Sequence, residues 1–256
     1  MKTVLCMKWG DKYGPEFVNA LHAGVTRHLS PPFRFLCLTD DPAGLAKGVE
    51  TAPLPDIPID PGFLDRKRHG EGWRKLAVFR RGLAGLEGTV LFFDVDVVIS
   101  GDLDRLFAYE PDRFCIIRDW LEIRRRPFRR MFDAGFHPGA DSNSSVFRFE
   151  MPKHGFIYDH LLANQGWANA NFRLAQQFLG AAAGDRAFWP EDWVVSFKRS
   201  CARPFPLNLV APPREPREAS VIVFHGKPDP DEAIAGYAGP LNRRTLPAPW
   251  LARDWG

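Results

Sequence analysis

The sequence predicts an α/β fold in which a mixed, mainly parallel sheet is flanked by helices. Two observations carry this prediction. An apolar run from Thr3 to Met7 is followed by a polar loop and then by helical spacing of apolar residues from Glu16 to His28, which is typical of a strand, loop and helix unit. A second helical pattern, from Trp73 to Leu86, leads directly into the β-rich run Val90 to Phe93.

The remaining elements follow in chain order. The segment Pro53 to Gly72 is rich in proline, glycine and charge, so we expect a long loop there. The chain beyond Pro228 is rich in proline, and we expect it to be irregular. Further strands are predicted at Phe33 to Leu38, Val49 to Leu54, Val97 to Ile99, Arg113 to Ile117, Asp141 to Phe149 and Val221 to Phe224, and further helices at Ile157 to Leu162 and Asn171 to Leu179.

Composition limits the class of protein. With 256 residues the chain can bury a full core, as one large domain or two closely joined halves. A formal net charge of +3 is too small to indicate nucleic-acid binding by itself. The four cysteines are far apart and form no C-x-x-C pair, so neither a zinc site nor a redox motif is indicated. No apolar run is long enough to span a bilayer and the N-terminus lacks the apolar region of a signal peptide, so we expect a cytoplasmic protein.

Two acids interrupt the central apolar run. Asp94 and Asp96 follow Phe93 and are separated by one valine, so in an extended segment their carboxylates would lie side by side. Such carboxylates are costly to bury without a cation, and a divalent ion held by two carboxylates usually completes its shell with substrate phosphates and water. One interpretation is therefore a diphosphate-binding metal site; the other is a turn or a solvated strand edge.

A second polar cluster follows the last predicted strand. His225, Gly226 and Lys227 come directly after Phe224. Neutral imidazole is a good ligand for manganese-like ions, and a glycine followed by a lysine suits close approach to a phosphate. A histidine at a strand end is also commonly a structural residue, so both interpretations stay open.

Together the two clusters carry a family resemblance. The string FFDVDVVISGDLDRLF, which ends at Phe107, resembles the metal-binding strand and following turn of GT-A glycosyltransferases. Its last seven residues are similar to glycosyltransferase family eight in particular. That family also carries a histidine, glycine and lysine set near its C-terminal end, in the place that His225, Gly226 and Lys227 occupy here.

The resemblance implies a fold, a cofactor and ligands. The fold would be a single GT-A domain over 1–256, with a Rossmann-like nucleotide-sugar-binding half at 1–107 and an acceptor side at 108–256 that supplies the third metal ligand. The cofactor would be Mn²⁺ or Mg²⁺, which the family's pattern assigns to Asp94, Asp96 and His225. Gly226 and Lys227 would lie against the donor phosphates.

Positions at the ends of predicted strands supply further candidates. Ligands of open α/β sheets lie beyond the carboxyl ends of the strands, where Lys8, Asp11 and Tyr13 follow the first strand. Family eight binds nucleotide in that loop, often through an acid and a tyrosine; the alternative for Tyr13 is an aromatic ring packed at the edge of the core. Arg74 and Lys75 match basic residues that related transferases bring toward the diphosphate, and a solvated helix face explains them equally well.

Two later stretches resemble the family less closely. Asn143 and Ser144 stand in a run similar to its asparagine, serine and glycine stretch, with Ser145 where glycine is usual. They could donate to sugar hydroxyls or phosphate, or they could form an Asx or serine turn. Glu191 and Asp192 match by position an acidic or amide pair that lies beside the anomeric carbon at the start of a helix, where they could also simply complement the helix dipole.

A basic and aromatic stretch lies between these motifs. Residues 118–133 contain a cluster of arginines among Trp120, Phe128 and Phe132. Such a stretch could meet an anionic acceptor or a membrane surface, or it could be a solvated face.

The predicted function is metal-dependent transfer of a sugar from a nucleotide-sugar, a UDP-sugar by family habit, to a glycan or lipid-linked acceptor, with the retention that the family implies. The metal and Lys227 would neutralise charge that develops on the departing nucleoside diphosphate. Whether Glu191 or Asp192 acts as a nucleophile or only stabilises charge stays open.

Three alternatives compete with this prediction. A GT-A protein that keeps the nucleotide without turnover would fit the serine at Ser145 and the altered pair Glu191 and Asp192. A haloacid dehalogenase-type phosphatase also places Asp-x-Asp after an apolar strand, but usually on the first strand and with a later acidic pair that this chain lacks. A nucleotidyltransferase would need a glycine-rich signature near the N-terminus, which is missing.

Overall fold

The computed structural model describes residues 1–60, 63, 70–120 and 141–256. Within these ranges the chain forms a seven-stranded sheet, in the order β3-β2-β1-β4-β7-β6-β8, and a three-stranded sheet, in the order β5-β10-β9. The strands are β1 (Lys2–Lys8), β2 (Phe33–Thr39), β3 (Glu50–Pro53), β4 (Gly88–Phe93), β5 (Val97–Ile99), β6 (Phe114–Arg118), β7 (Ser142–Met151), β8 (Arg186–Phe188), β9 (Val194–Ser196) and β10 (Val221–Val223).

The described α-helices are short apart from the first. They are α1 (Pro15–His28), α2 (Asp104–Ala108), α3 (Phe156–Ala163), α4 (Gln165–Asn171), α5 (Ala175–Ala182), α6 (Pro230–Ala235) and α7 (Trp250–Trp255). Segments of 3₁₀ helix cover Gly70–Phe79, Leu83–Gly85, Lys153–Gly155 and Leu207–Leu209, and one π-helical turn covers Phe197–Cys201. None of the helices in the described ranges is long and apolar enough to cross a membrane.

The large sheet is mixed and mainly parallel, as the sequence predicts. Strands β3, β2, β1 and β4 run parallel to one another, and β6 runs parallel to β8. Only β7 is antiparallel to its neighbours, β4 and β6, within this sheet. Because β4 pairs with β7, the sheet joins strands from both predicted halves of the chain.

Both faces of the sheet are covered, which explains why its strands are apolar throughout. Along β1, Val4 and Cys6 pack with the α1 side of the core, whereas Leu5 and Met7 pack on the opposite side against Trp73. Parallel strands buried on both faces show continuous apolar runs rather than alternation. The sheet therefore forms the central layer of an α/β sandwich.

The chain leaves the large sheet between β4 and β5. Asp94, Val95 and Asp96 form a turn, so the extended conformation considered for this pair is wrong. The physical reason is pairing: Val97–Ile99 joins β10, antiparallel, in the small sheet instead of continuing along β7. Just beyond, Gly101 lies so close to the 219–220 backbone that a Cβ atom would stand 2.8 Å from the Ala219 carbonyl oxygen.

Several predicted helices have different bounds. The pattern from Trp73 to Leu86 is a 3₁₀ helix that ends at Phe79, because Gly82 (φ 76°) and Ala84 (φ 46°) adopt left-handed conformations that a continuous helix excludes. Of the predicted helix from Asn171 to Leu179, the part from Ala175 onward lies in α5, and Asn171 is the last residue of α4. Phe172, in extended conformation, closes α4 and is buried.

The C-terminal segment is not irregular, contrary to the sequence prediction. Asp229 precedes Pro230 at the start of α6, and its backbone N–H donates to Glu232 Oε2 at 2.8 Å, which satisfies one of the helix's free amide groups. Helix α7 packs on α1, with the rings of Trp255 and Phe17 5.1 Å apart. The pattern Asp-Pro-Asp-Glu was the signal for α6.

Candidate active site

The Asp94 to Asp96 turn lies at the carboxyl edge of the large sheet. Strand β1 ends nearby at Lys8, since Cys6 pairs with Phe93. The Asp94 N–H donates to the Ser145 carbonyl at 2.9 Å, which holds the start of the turn against β7. Val95 is buried in the α1 side of the core, and the two acids on either side of it are only partly buried.

Lys75 neutralises the first acid of the turn. Its Nζ lies 2.5 Å from Asp94 Oδ1 and 3.2 Å from the Ser144 carbonyl oxygen, and its side chain is 11% exposed. The 3₁₀ segment Gly70–Phe79 thus brings a lysine to the carboxyl end of β4. The predicted basic residue is at the site, where it contacts a carboxylate of the turn.

The second acid of the turn is less well balanced. Tyr13 donates its hydroxyl to Asp96 Oδ2 at 2.9 Å. Burial, and then the neighbouring charge of Asp94, raise the pKa of Asp96 to about 7. Burial, followed by the charge of Asp96, also raises the pKa of Tyr13, so this hydroxyl stays a donor. Lys12, which sequence reasoning did not identify, lies with its Nζ 2.5 Å from the Tyr13 hydroxyl oxygen.

The histidine of the C-terminal cluster has a neutral ring that is hydrogen-bonded through Nε2. His225 Nε2 lies 3.0 Å from Ser196 Oγ, and its ring stands edge-on to Trp120 at 4.9 Å. Lys198 donates to the His225 carbonyl oxygen. Burial, and then the charges of Lys198 and Arg199, lower the pKa of His225 to about 4. The ring therefore carries no charge at neutral pH.

Lys227 is held by two carboxylates of its own segment. Its Nζ lies 2.9 Å from Asp229 Oδ2 and 2.7 Å from Glu232 Oε1. These hydrogen bonds, that of Glu232 first, raise the pKa of Lys227. Gly226 adopts φ +62°, and a Cβ would meet nothing there, so the glycine serves the left-handed turn rather than space for a neighbour.

The predicted metal ligands are not gathered into one cluster. Among the residues that the structure describes, no three histidine, cysteine, aspartate or glutamate side chains lie close enough to hold a metal ion. The donor set still fits a divalent cation, because Asp96 is a carboxylate whose negative charge lacks a full counter-charge. Nearby, the buried Oδ1 of Asp229 has no hydrogen-bond partner among the residues that the structure describes. Its charge contributes to the raised pKa of Tyr13, which indicates that the α6 start faces the same site.

The other predicted binding residues lie at the end of β1 and at the start of β7. Lys8 ends β1 and is 6% exposed, while Asp11 is exposed in the following loop. Asn143 Oδ1 accepts the Ser145 N–H at 3.0 Å. This contact is the Asx turn that the sequence offered as the alternative to ligand binding. Ser144 reaches the site through its carbonyl oxygen, which accepts from Lys75.

The pair Glu191 and Asp192 is placed differently from the sequence prediction. Both are exposed in a turn that leads into β9, so the expected helix start is wrong. The β-branched residues Val194 and Val195 pair with β10, and this strand pairing replaces the helix. No contact described for these acids joins them to Asp94 or Asp96.

The arginine-rich stretch lies mostly in 121–140, outside the described residues.

Comparison with known proteins decides the fold. No model of a known protein family matches the sequence, and no curated protein matches it. Among solved structures, the galactosyltransferase LgtC, in complex with donor and acceptor sugar analogues, matches with a TM-score of 0.58 at 14% identity, over 89% of this chain and 88% of that one. This chain has the GT-A fold. The predicted fold class is thereby confirmed.

Two further structures agree with this assignment. The glycosyltransferase GlyE of Streptococcus pneumoniae matches with a TM-score of 0.58 at 14% identity, over 90% of this chain and 56% of that one. The bifunctional glycosyltransferase WbbM matches with a TM-score of 0.57 at 14% identity, over 89% of this chain and 46% of that one. At this level of identity the likeness concerns the fold, and the chemistry has to be argued from the site.

Proposed function

We propose that this protein is a metal-dependent glycosyltransferase that moves a sugar from a nucleotide-sugar, a UDP-sugar in the first instance, to a glycan or lipid-linked acceptor with retention of configuration. The observation that carries the proposal is the carboxylate pair Asp94 and Asp96, which a GT-A fold places at the carboxyl edge of its sheet between Tyr13 and Lys75. A cytoplasmic location belongs to the same proposal.

The chain's own residues prepare the site for an anionic ligand with a cation. Lys75 balances Asp94, and Tyr13 donates to Asp96, so one negative charge remains to be compensated. Mn²⁺ or Mg²⁺ held by these carboxylates would supply positive charge against the departing diphosphate. His225 has a neutral ring whose Nδ1 makes no hydrogen bond to the described residues, so this nitrogen is available as a ligand.

Lys227 adds a second positive group. It is paired with Asp229 and Glu232, and its side chain is 51% exposed. The pair with Glu232 is partly exposed, and exposed pairs are worth about 0–1 kcal/mol, so a diphosphate can compete with Glu232 for the lysine at small cost. Lys227 would then stabilise the charge that develops as the glycosidic bond breaks.

Binding without turnover is the second candidate, and one observation favours it. Glu191 and Asp192, the acids assigned to the anomeric carbon by resemblance, lie in an exposed turn. If no other group takes their place, the site would hold a nucleotide without transferring its sugar.

A thermal-shift titration with nucleoside diphosphates and sugar nucleotides, with and without Mn²⁺, tests the proposal. A ligand that binds only the folded state raises its midpoint by mass action. We expect a metal-dependent shift with a uridine nucleotide that Asp96→Asn abolishes. Asp112→Asn is the control, since Asp112 is exposed with φ 65°, a conformation that asparagine tolerates well.

Release of nucleoside diphosphate from the sugar nucleotide separates the two candidates. Metal-dependent binding with release, in wild type and Asp112→Asn, supports the transferase. Binding without release in the presence of varied acceptors supports the second candidate. The absence of a shift with every nucleotide, in protein shown to be folded, would refute both.

A further inference from the structure

A patch of exposed apolar side chains comes from segments that supply no residue to the candidate active site. Of the seven large apolar side chains that are exposed in the described part of the chain, four belong to it: Phe205 (57% exposed), Leu207 (51%), Val210 (76%) and Leu241 (57%). We call these four residues the apolar patch. Contiguous exposed apolar surface is unfavourable in water and commonly marks an interaction site.

The apolar patch is built from two segments that are fixed to each other. Leu207–Leu209 is a 3₁₀ turn, and the Val210 N–H donates to the Leu207 carbonyl at 3.2 Å. Asn208 is buried beneath this turn, and its Nδ2 donates to the carbonyl oxygens of Leu241 (2.7 Å) and Arg244 (2.9 Å). The buried amide therefore holds Leu241 beside the turn, so that the four side chains belong to one defined surface.

Positive charge borders this patch. Arg243 and Arg244 follow Leu241 closely, are exposed and form no ion pair with any described residue. Arg199 and Arg243 both lie within electrostatic reach of Lys198. These groups are thus close together. We call Arg199, Arg243 and Arg244 the arginine rim.

The arginine rim links the patch to the candidate active site. Lys198 donates to the carbonyl oxygen of His225, and Arg199 is the next residue along the chain. A surface that contacted the arginine rim would therefore lie beside the His225 to Lys227 segment. An exposed apolar patch bordered by exposed arginines has the chemistry of a protein face that binds an anionic bilayer, in which apolar side chains enter the headgroup region and cations meet lipid phosphates.

We propose that the apolar patch and the arginine rim seat this protein on the surface of a bilayer that contains anionic lipids. Phe205 and Leu207 enter the interface, and Arg243 and Arg244 contact lipid phosphates. The residues of this surface are different from those of the arginine-rich stretch of 118–133. The proposal does not depend on the proposed function, because membrane binding is measured without donor or acceptor; a lipid-linked acceptor would, however, be presented directly to a site seated in this way.

Co-sedimentation of the full chain with vesicles tests the proposal. The two probes are phosphatidylcholine vesicles and phosphatidylcholine vesicles that contain phosphatidylglycerol, at low and raised salt. We expect the wild type to bind the anionic vesicles and salt to weaken this binding. Arg243→Glu should weaken it roughly tenfold, since each basic residue near such a surface contributes about fivefold and the reversal adds repulsion.

Matched substitutions elsewhere control for charge and hydrophobicity. Phe205→Ser should weaken binding, whereas Phe156→Ser, at an exposed phenylalanine on α3, should not. Arg173→Glu, at an exposed arginine before α5, controls for Arg243→Glu. Light scattering of the wild type without vesicles reports self-association.

Four results would overturn the proposal. They are no binding to anionic vesicles, equal binding to both vesicle types, equal loss in the control variants, and a dimer that Phe205→Ser dissociates, which would make the patch an interface between two copies. Loss confined to Phe205→Ser and Arg243→Glu, in variants with wild-type unfolding midpoints, would support it.

Discussion

Arg148 and Asp96 are two charged side chains withdrawn from water close to the same pair of strands, and the protein treats them in opposite ways. Arg148 lies on β7, is 1% exposed, and donates to the carbonyl oxygens of Leu106 (2.7 Å), Phe107 (2.9 Å) and Glu110 (2.6 Å). Asp96, in the turn after β4, accepts one hydroxyl, from Tyr13, and has a second carboxylate as its neighbour.

The difference separates a structural charge from a functional one. A guanidinium whose donors meet several carbonyl oxygens is compensated inside the fold and needs no ligand. A carboxylate whose pKa is raised to about 7 by burial and by like charge is under-compensated, and such groups cluster at functional sites. Burial of a charge alone therefore does not indicate a functional site, whereas incomplete compensation of a buried charge does.

The largest expected effect is a loss of folding stability when Arg148, the structural charge, is replaced. Arg148→Met should lower the free energy of unfolding by about 3 kcal/mol or more, because the carbonyl oxygens of Leu106 and Phe107 would lose their donor inside the fold and that of Glu110 would keep only the Arg113 N–H. Urea denaturation at neutral pH measures this. Arg173→Met, at an exposed arginine, is the control and should change stability by no more than about 0.5 kcal/mol. Equal losses in the two variants would contradict the assignment of Arg148 as a compensated structural charge.

Replacing Lys75 tests whether the charge of Asp94 depends on this lysine for its compensation. Lys75→Met should lower the free energy of unfolding by about 2 kcal/mol at neutral pH, because Asp94 loses a hydrogen-bonded cation and the Ser144 carbonyl loses its donor. Urea denaturation over a pH series should show a smaller loss below pH 7, where the neighbouring Asp96 holds a proton and leaves less negative charge for Lys75 to balance. A loss independent of pH would indicate that Lys75 matters through the packing of its alkyl chain alone.

The pH dependence of folding stability tests whether the charge of Asp96 is under-compensated. Its folded-state pKa of about 7 lies above the ordinary 3.8, so between these values the folded state keeps a proton that the unfolded state releases. The contribution of Asp96 to stability therefore falls as pH rises through this window and is constant above it.

Asp96→Asn should accordingly be as stable as the wild type in acid and more stable above pH 7. The full shift corresponds to about 4 kcal/mol, and because Asp96 is only partly buried we expect solvent screening to leave about 1–2 kcal/mol. Chemical denaturation in the presence of a chelator measures the difference at each pH. A variant that is less stable than wild type at neutral pH would show that the Tyr13 hydrogen bond outweighs the cost of the buried charge.

Local chemistry made part of the site predictable from the sequence. Asp94, Asp96 and Lys75 stand in or beside apolar runs, where charged residues are unusual, and the structure brings them together with Tyr13. The sheet strands were predictable for the same reason, since runs such as Thr3 to Met7 are apolar over their full length.

What could not be predicted depends on partners distant in the sequence. The turn at Asp94 to Asp96 exists because Val97–Ile99 pairs with β10, which comes more than a hundred residues later. Arg148 looks like an ordinary polar position in an alternating strand until the 106–110 carbonyls are placed around it. The exposed turn at Glu191 and Asp192 likewise follows from the pairing of β9 with β10.

The smallest expected effect concerns the pairing of Lys227. Glu232→Gln removes one of the two carboxylates that hold Lys227 and retains an oxygen that can accept the Asp229 N–H. If Lys227 contacts the diphosphate, freeing it should tighten nucleoside diphosphate binding by about two- to fivefold, the value of an exposed ion pair.

A double-mutant cycle measured by calorimetry isolates that contribution. Lys227→Met should weaken binding, and adding Glu232→Gln to Lys227→Met should change nothing further, because the carboxylate would no longer have a lysine to compete for. An equal gain from Glu232→Gln with and without the lysine would mean that the carboxylate acts on the ligand directly through repulsion. Lys227 would then be a charge that the fold compensates by itself, as it does Arg148.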